Sequence, residues 1–148
     1  MIERELLWMV DTLRDQVHEM TAAGNCDRTV YLQHPLTSTS WDGDAYSTTA
    51  KTLIDMSAVF GVPAQVRFVL IKLAISDSGS DAADCYMILA PTNTALEGMS
   101  AGAPTPKTRW GRECLVVPCD ANGDIYYQIV ASGAGTFSVI MQVWGYGW

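Results

Sequence analysis

The chain has 148 residues, the length of one ordinary domain. Nine basic residues against sixteen acidic ones leave a net charge of −7 and a pI near 4.5, which excludes the basic footprint that phosphate contacts require. Hydrophobic residues make up 49% and charged residues 17%, so intrinsic disorder is excluded, and no apolar run approaches the roughly 20 residues of a membrane helix. The start, Met1-Ile2-Glu3-Arg4-Glu5, lacks the basic opening of a secretory signal, and cytoplasmic synthesis is expected. Charged residues fall below the roughly 25% usual in soluble proteins. Five Trp, six Tyr and seven Met exceed what one small core holds easily. Subunit interfaces are rich in aromatics and Met and poor in charge, so an oligomer is expected.

Residues 1–23 read as one amphipathic helix. Leu6, Val10, Leu13, Val17 and Met20 repeat at 4-3-4-3 spacing. A second stripe, Ile2, Leu6, Met9 and Leu13, widens the apolar face, and Glu3, Glu5, Asp11, Arg14, Asp15 and Glu19 occupy the rest. Gly24-Asn25 stops the run. The wide face suits a bundle of three or more helices; packing on its own domain is the plainer use. Residues 24–47 read as an extended arm with a short strand at Arg28–Leu32, then Pro35, a Ser/Thr cluster and Trp41-Asp42-Gly43-Asp44.

Residues 48–148 carry β signals. Strands are expected at 51–55, 66–75, 85–89, 113–117, 125–131 and 136–144, with one helical turn at Met56–Phe60. The stretch 66–75 is apolar on both faces, which predicts burial on both. Pro91 ends its strand, and 92–108 reads as a loop rich in Gly, Ala, Pro and Thr. Asn122-Gly123 predicts a hairpin. Short strands separated by turns define the expected fold: mainly β, a sandwich of jelly-roll type preceded by one N-terminal amphipathic helix.

Catalytic patterns are sparse. Cys26, Cys85, Cys114 and Cys119 form no CxxC pair, and His18 and His34 are not spaced with them as zinc ligands, so no metal is expected and buried free thiols are. No Gly-x-Ser-x-Gly elbow or Gly-rich phosphate loop occurs. The aspartates sit in turn-like text (Asp42/Asp44, Asp77/Asp81/Asp84, Asp120/Asp124), where they usually bond local backbone. Asp120-Ala121-Asn122-Gly123-Asp124 spaces oxygens as a calcium loop does, without its sixth-position Gly or closing Glu. No catalytic residue and no cofactor is expected. A carbohydrate-active enzyme would need two facing acids, Asp42 or Asp44 with Asp77.

Trp144-Gly145-Tyr146-Gly147-Trp148 puts three rings on one side of an extended chain, to close a core or meet a neighbour. Trp41 and Trp110, in loop text beside Asp42, Asp44, Arg109 and Arg112, are the candidate ligand-binding aromatics, a ring beside polar groups being what a sugar requires.

Thr39-Ser40-Trp41-Asp42-Gly43-Asp44-Ala45-Tyr46-Ser47, Ile54 through Ala64 and Val117 through Tyr126 resemble β-rich domains of tailed-bacteriophage virion proteins, over about residues 38–148. The resemblance implies a homotrimer behind an N-terminal helical stalk, with Leu6, Val10, Leu13, Val17 and Met20 at the trimer interface. It implies a non-enzymatic virion protein that binds other virion proteins through its helix and arm. A short fibre or receptor-binding appendage, meeting a host surface glycan, is the first form; a capsid decoration protein is the second. Such a fibre usually carries a longer particle-binding region than 23 residues. Neither nucleic acid nor membrane insertion is expected.

Overall fold

The computed structural model describes residues 28–38, 40–41, 48–79, 85–104 and 106–148. The helix expected at 1–23, with Leu6, Val10, Leu13, Val17 and Met20, lies outside the described residues, as do Cys26, Asp42, Asp44, Asp81 and Asp84.

Eight strands follow in chain order among the described residues: β1 Thr29–Leu36, β2 Thr48–Ile54, β3 Phe68–Asp77, β4 Tyr86–Ala90, β5 Met99–Gly102, β6 Gly111–Pro118, β7 Ile125–Val130 and β8 Phe137–Gly147. They build two four-stranded sheets, ordered β1-β8-β3-β6 and β2-β7-β4-β5. The ladders are antiparallel throughout. The pairs β1–β8, β2–β7, β3–β6 and β4–β5 are nested, and successive pairs alternate between the sheets. Only β4 and β5 are both consecutive and paired; every other connection carries the chain from one sheet to the other. The fold is mainly β and a two-sheet sandwich.

Alternation along each strand makes the core. β3 turns Val69, Ile71, Leu73 and Ile75 inward, each at most 2% exposed. Val139, Met141 and Val143 of β8 and Val117 of β6 lie beside them in the same sheet. Met87, Leu89, Ile125, Tyr127 and Ile129 close the core from the other sheet. Each such burial contributes about 1.5–3 kcal/mol. The opposite face of β3 is only half-buried at Phe68, Leu70, Lys72 and Ala74. Burial on both faces, expected from the apolar run, is therefore met on one face among the described residues, because a two-layer sandwich has a single interior.

Helix α1, Met56–Phe60, stoppers one end of the sandwich. Asp55 caps it by accepting from the Ala58 N–H at 2.9 Å, and Gly61 ends it at φ +73°. Met56 and Phe60, one turn apart, are both buried. The Asp124 carboxylate accepts from the Met56 N–H at 2.9 Å and ties the helix to the start of β7.

Three local outcomes differ from expectation. β5 lies inside the stretch read as loop: Met99-Ser100-Ala101-Gly102 has little strand propensity, and pairing with β4 imposes the conformation. Asn122-Gly123 joins β6 to β7, which belong to different sheets, so it turns a corner rather than closing a hairpin. Asp120 holds that corner, its carboxylate accepting from the N–H groups of Asn122 and Asp124. The C-terminal aromatics, finally, do not share a face. Ile71 pairs with Val143 but Leu70 pairs with Gly145, so Trp144 is the extra residue of a bulge and the phase of β8 reverses after it.

Before the bulge Ile140, Gln142 and Trp144 face outward; beyond it Gly145 and Gly147 do, beside Leu70 and Phe68. Tyr146 pairs with inward-facing Val69, and Tyr146 and Trp148 pack on the core, edge to face with ring centres 5.5 Å apart. The Arg28 guanidinium lies 5.7 Å from the Trp148 ring centre, within cation–π range. A Cβ at Gly145 would stand 2.7 Å from the Val30 carbonyl oxygen and 2.8 Å from Leu70 Cδ1. Gly145→Ala is expected to cost about 1–3 kcal/mol by overpacking, read as a lower urea midpoint with an unchanged slope.

Candidate binding face

Among the described residues, the outer face of the β1-β8-β3-β6 sheet gathers most of the exposed large apolar side chains, Tyr31, Trp110, Val116, Ile140 and Trp144. Outward positions are Phe68, Leu70, Lys72, Ala74 and Ser76 on β3, with Arg112, Cys114, Val116 and Pro118 opposite on β6. Ser138, Ile140, Gln142 and Trp144 follow on β8, and Tyr31 on β1 lies across from Gly145. Val116 and Ile140 are each 52% exposed, although β-branched residues in a two-layer sandwich ordinarily turn inward. Apolar side chains exposed together on a sheet flank are the unusual feature of this surface.

Lys72 divides this face into two hollows. One, of about 320 Å³, is bounded by Leu70, Lys72, Cys114, Val116 and Trp144. The other, of about 280 Å³, is bounded by Lys72, Ala74, Trp110, Arg112, Ile140 and Gln142. The outward positions of β3, β6 and β8 hold two cations and no carboxylate. The acids among the described residues stand off these outward positions, on a chain of net charge −7.

The two candidate tryptophans are placed differently. Trp110 is 43% exposed and lines the second hollow on the outer face. Trp41 is half-buried against the core: its ring lies 5.5 Å from Tyr127, edge to face, and 6.3 Å from Phe60. The Ser38 hydroxyl accepts from the Trp41 backbone N–H at 2.9 Å. The Trp41 indole Nε1 is buried with no hydrogen-bond partner among the described residues. Leu70, Lys72, Val116 and Ile140 carry the rest of the face and were not singled out in the sequence, whereas Trp144 was, as a ring that closes a core or meets a neighbour. For Leu70 the signal was the 66–75 run, apolar on both sides in a fold that can bury one.

Asp77, named as half of a possible acid pair, is 3% exposed at the end of β3. Its carboxylate accepts from the N–H groups of Gly79 and Ser132 at 2.8 and 3.0 Å, from the Ser132 hydroxyl, and from the Thr136 hydroxyl at 3.1 Å. Burial alone would raise its pKa; these donors, Ser132 foremost, instead hold it well below the usual carboxylate range. A carboxylate so held has no proton to give as a general acid. It ties β3 to the β7–β8 corner, 55 residues away at Ser132.

The thiols take three environments. Cys85 is buried and pushed up by burial and by Asp77; Cys119 is half-buried and pushed up to about 12 by burial and by Asp120 and Asp124; Cys114 stands exposed on the outer face. Buried free thiols were expected, and Cys114 differs because β6 is an edge strand whose even positions face outward. In the calcium-like loop, one oxygen of Asp120 and one of Asp124 are already bound to backbone N–H groups. Among the described residues, no three His, Cys, Asp or Glu side chains are grouped to hold a metal ion. No helix among them is long and apolar enough to cross a membrane.

No protein-family model and no curated protein sequence matches this chain.

Asp77→Asn removes the charge from a buried carboxylate with four donors, and is expected to lower unfolding free energy by about 1.5–3 kcal/mol at neutral pH. Because the folded-state pKa is depressed, the stabilisation is complete above the ordinary value of about 4 and fades as pH falls below it. Urea titrations of parent and variant should differ most at neutral pH and converge in acid.

Proposed function

We propose that this chain is a non-enzymatic structural protein of a tailed-phage virion: a homotrimeric jelly-roll domain fixed to the particle by its N-terminal helix and arm. The observation that carries the assembly role is the apolar, carboxylate-free outer face of the β1-β8-β3-β6 sheet, a surface of the kind that another protein surface covers. The strand orders 1-8-3-6 and 2-7-4-5 support the jelly-roll reading, since nested antiparallel pairs wrapped alternately into two sheets are what that roll consists of. The phage assignment rests on the resemblance of residues 38–148 to such domains, and the trimer on the stripe Leu6, Val10, Leu13, Val17 and Met20.

A short fibre or receptor-binding appendage is the first form of this role. Trp110, exposed beside Arg112 and Gln142, supports it as the ring on which a host glycan stacks. Trp41, with its ring against Tyr127 and Phe60, serves the packing of the sandwich instead. Capsid decoration is the second form, and the position of the apolar surface favours it: a flank of the sandwich, rather than its end loops, meets a neighbouring surface broadly. A carbohydrate-active enzyme would draw on Asp77, whose carboxylate is committed to Ser132, Thr136 and Gly79.

Light scattering at micromolar protein should give three times the chain mass of 16.1 kDa, and a monomer would end the trimer reading. Leu13→Asp is expected to break the assembly while leaving the β-domain's circular dichroism intact, because the charge falls in the helix seam. Quantitative gels of purified virions then separate the forms: few copies for a fibre, many for a decoration protein. Absence from the particle would overturn both. For the fibre form, Trp110→Ala should reduce adsorption to host cells with the trimer and its melting temperature preserved.

A further inference from the structure

We propose that the hollow bounded by Trp110, Lys72 and Arg112 binds a carboxylate-bearing sugar, a uronic or sialic acid residue of a glycan. Its ring lies on Trp110 and its carboxylate between the two cations. The proposal rests on the reading of Trp110 as the ring on which a glycan stacks, and it names the class of that glycan.

The register of the sheet builds the hollow. On the outer face Ala74 lies between Ile140 of β8 and Arg112 of β6, and the neighbouring row sets Lys72 beside Gln142. A methyl group among longer side chains leaves a depression, and Trp110, two residues before Arg112, walls it. At about 280 Å³ it falls at the small end of ligand clefts, roughly 300–1,000 Å³, the size for one sugar residue. The hollow lies where β3 ends and β6 begins. Lys72 separates it from the hollow that holds Leu70, Val116 and Trp144, so a glycan here leaves that apolar half of the face open to a protein neighbour.

The chemistry of the rim selects an acid. Lys72 and Arg112 are diagonal neighbours on adjacent strands, about 7–8 Å apart by sheet geometry, so one carboxylate reaches both. Among the described residues no carboxylate pairs with either. The side chains of Lys72, Arg112 and Trp110 carry donors and no nitrogen or oxygen acceptor. The Gln142 oxygen accepts from the Trp144 indole N–H at 3.4 Å, which leaves its NH2 group to donate. Neutral sugars present hydroxyls, which donate as well as accept; a carboxylate only accepts. Its charge-assisted bonds to an ammonium and a guanidinium are roughly twice as strong as neutral ones. Trp110 and Ile140, 43% and 52% exposed, supply the apolar surface for the C–H face of the ring.

The full-length chain is titrated by calorimetry and saturation-transfer NMR with the methyl glycosides of glucuronic, galacturonic and N-acetylneuraminic acid. Each is compared with its methyl ester, which keeps the ring and removes the charge, and inorganic phosphate serves as an anion without a ring. At least one acid is expected to bind about tenfold or more tightly than its ester, the scale of a charge-assisted hydrogen bond. Arg112→Gln should abolish that preference. Ala74→Leu, which fills the hollow from the outer face, should abolish binding of acid and ester alike with the melting temperature kept. Equal binding of acids and esters overturns the proposal, as does a preference that survives Arg112→Gln. Phosphate binding as tightly as the best acid overturns it too, since the ring would then contribute nothing. Esters bound without preference, and lost in Trp110→Ala, end the acidic class and keep the glycan reading. No binding of any sugar ends both.

Discussion

Each strand of a two-layer sandwich has one face turned to the opposing sheet and one turned away, and only the first can be made dry by the strand's own domain. In this chain that constraint decides more than the core. The inward residues of β3, Val69 through Ile75, meet Met87, Leu89 and Ile129 across the interior. The outward residues Phe68, Leu70 and Ala74 are nearly as apolar and are only half-buried among the described residues. β6 and β8 repeat the asymmetry with Val116 and Ile140. The described sandwich thus buries one apolar face of its β1-β8-β3-β6 sheet and leaves the other partly exposed.

The bulge at Trp144 shows how the chain serves both surfaces with one strand. Without it, the two-residue period would carry Tyr146 and Trp148 outward with Trp144, and three large rings would face solvent. The inserted residue leaves Trp144 at the first hollow and returns Tyr146 and Trp148 to the core. Gly145 and Gly147 make the reversal sterically possible, because a side chain at either would strike Leu70 or Phe68. The alternation of aromatic and glycine in the last five residues is therefore a packing solution: rings go where the interior has space, and glycines go where the outer face is crowded.

Much of the strand content was legible because burial imposes a period of two and turns collect Gly, Pro, Asn and Asp. The short helix was equally plain, with Asp55 before it and Gly61 after it. What was not legible depends on pairing across long sequence separations. β5 owes its conformation to β4, not to Met99-Ser100-Ala101-Gly102 themselves. Asn122-Gly123 has the local chemistry of a tight turn, yet whether its flanking strands pair is decided by β2 and β4, which flank β7, and by β3, which pairs with β6. Register shifts leave no mark in composition, so the parting of Trp144 from Tyr146 could not be read. Of the two candidate tryptophans, local text described both as loop rings beside charge. Only the fold separates Trp110, open on the sheet, from Trp41, turned against Tyr127.

The buried polar groups complete the argument from the other side. A sandwich whose connections mostly cross between sheets must secure its corners, and it does so with carboxylates. Asp77 fastens the β7–β8 corner, Asp120 the β6–β7 corner, and Asp55 and Asp124 the helix at the mouth of β7. Each accepts backbone N–H groups that would otherwise be stranded where ladders end. An acidic chain can spend aspartates in this way and still leave the outward positions of β3, β6 and β8, which bear Lys72 and Arg112, without a carboxylate. Polar chemistry here holds the corners of the sandwich, and the outer face of the β1-β8-β3-β6 sheet carries Leu70, Val116, Ile140 and Trp144. The corners keep that face in shape through hydrogen bonds made within the chain itself.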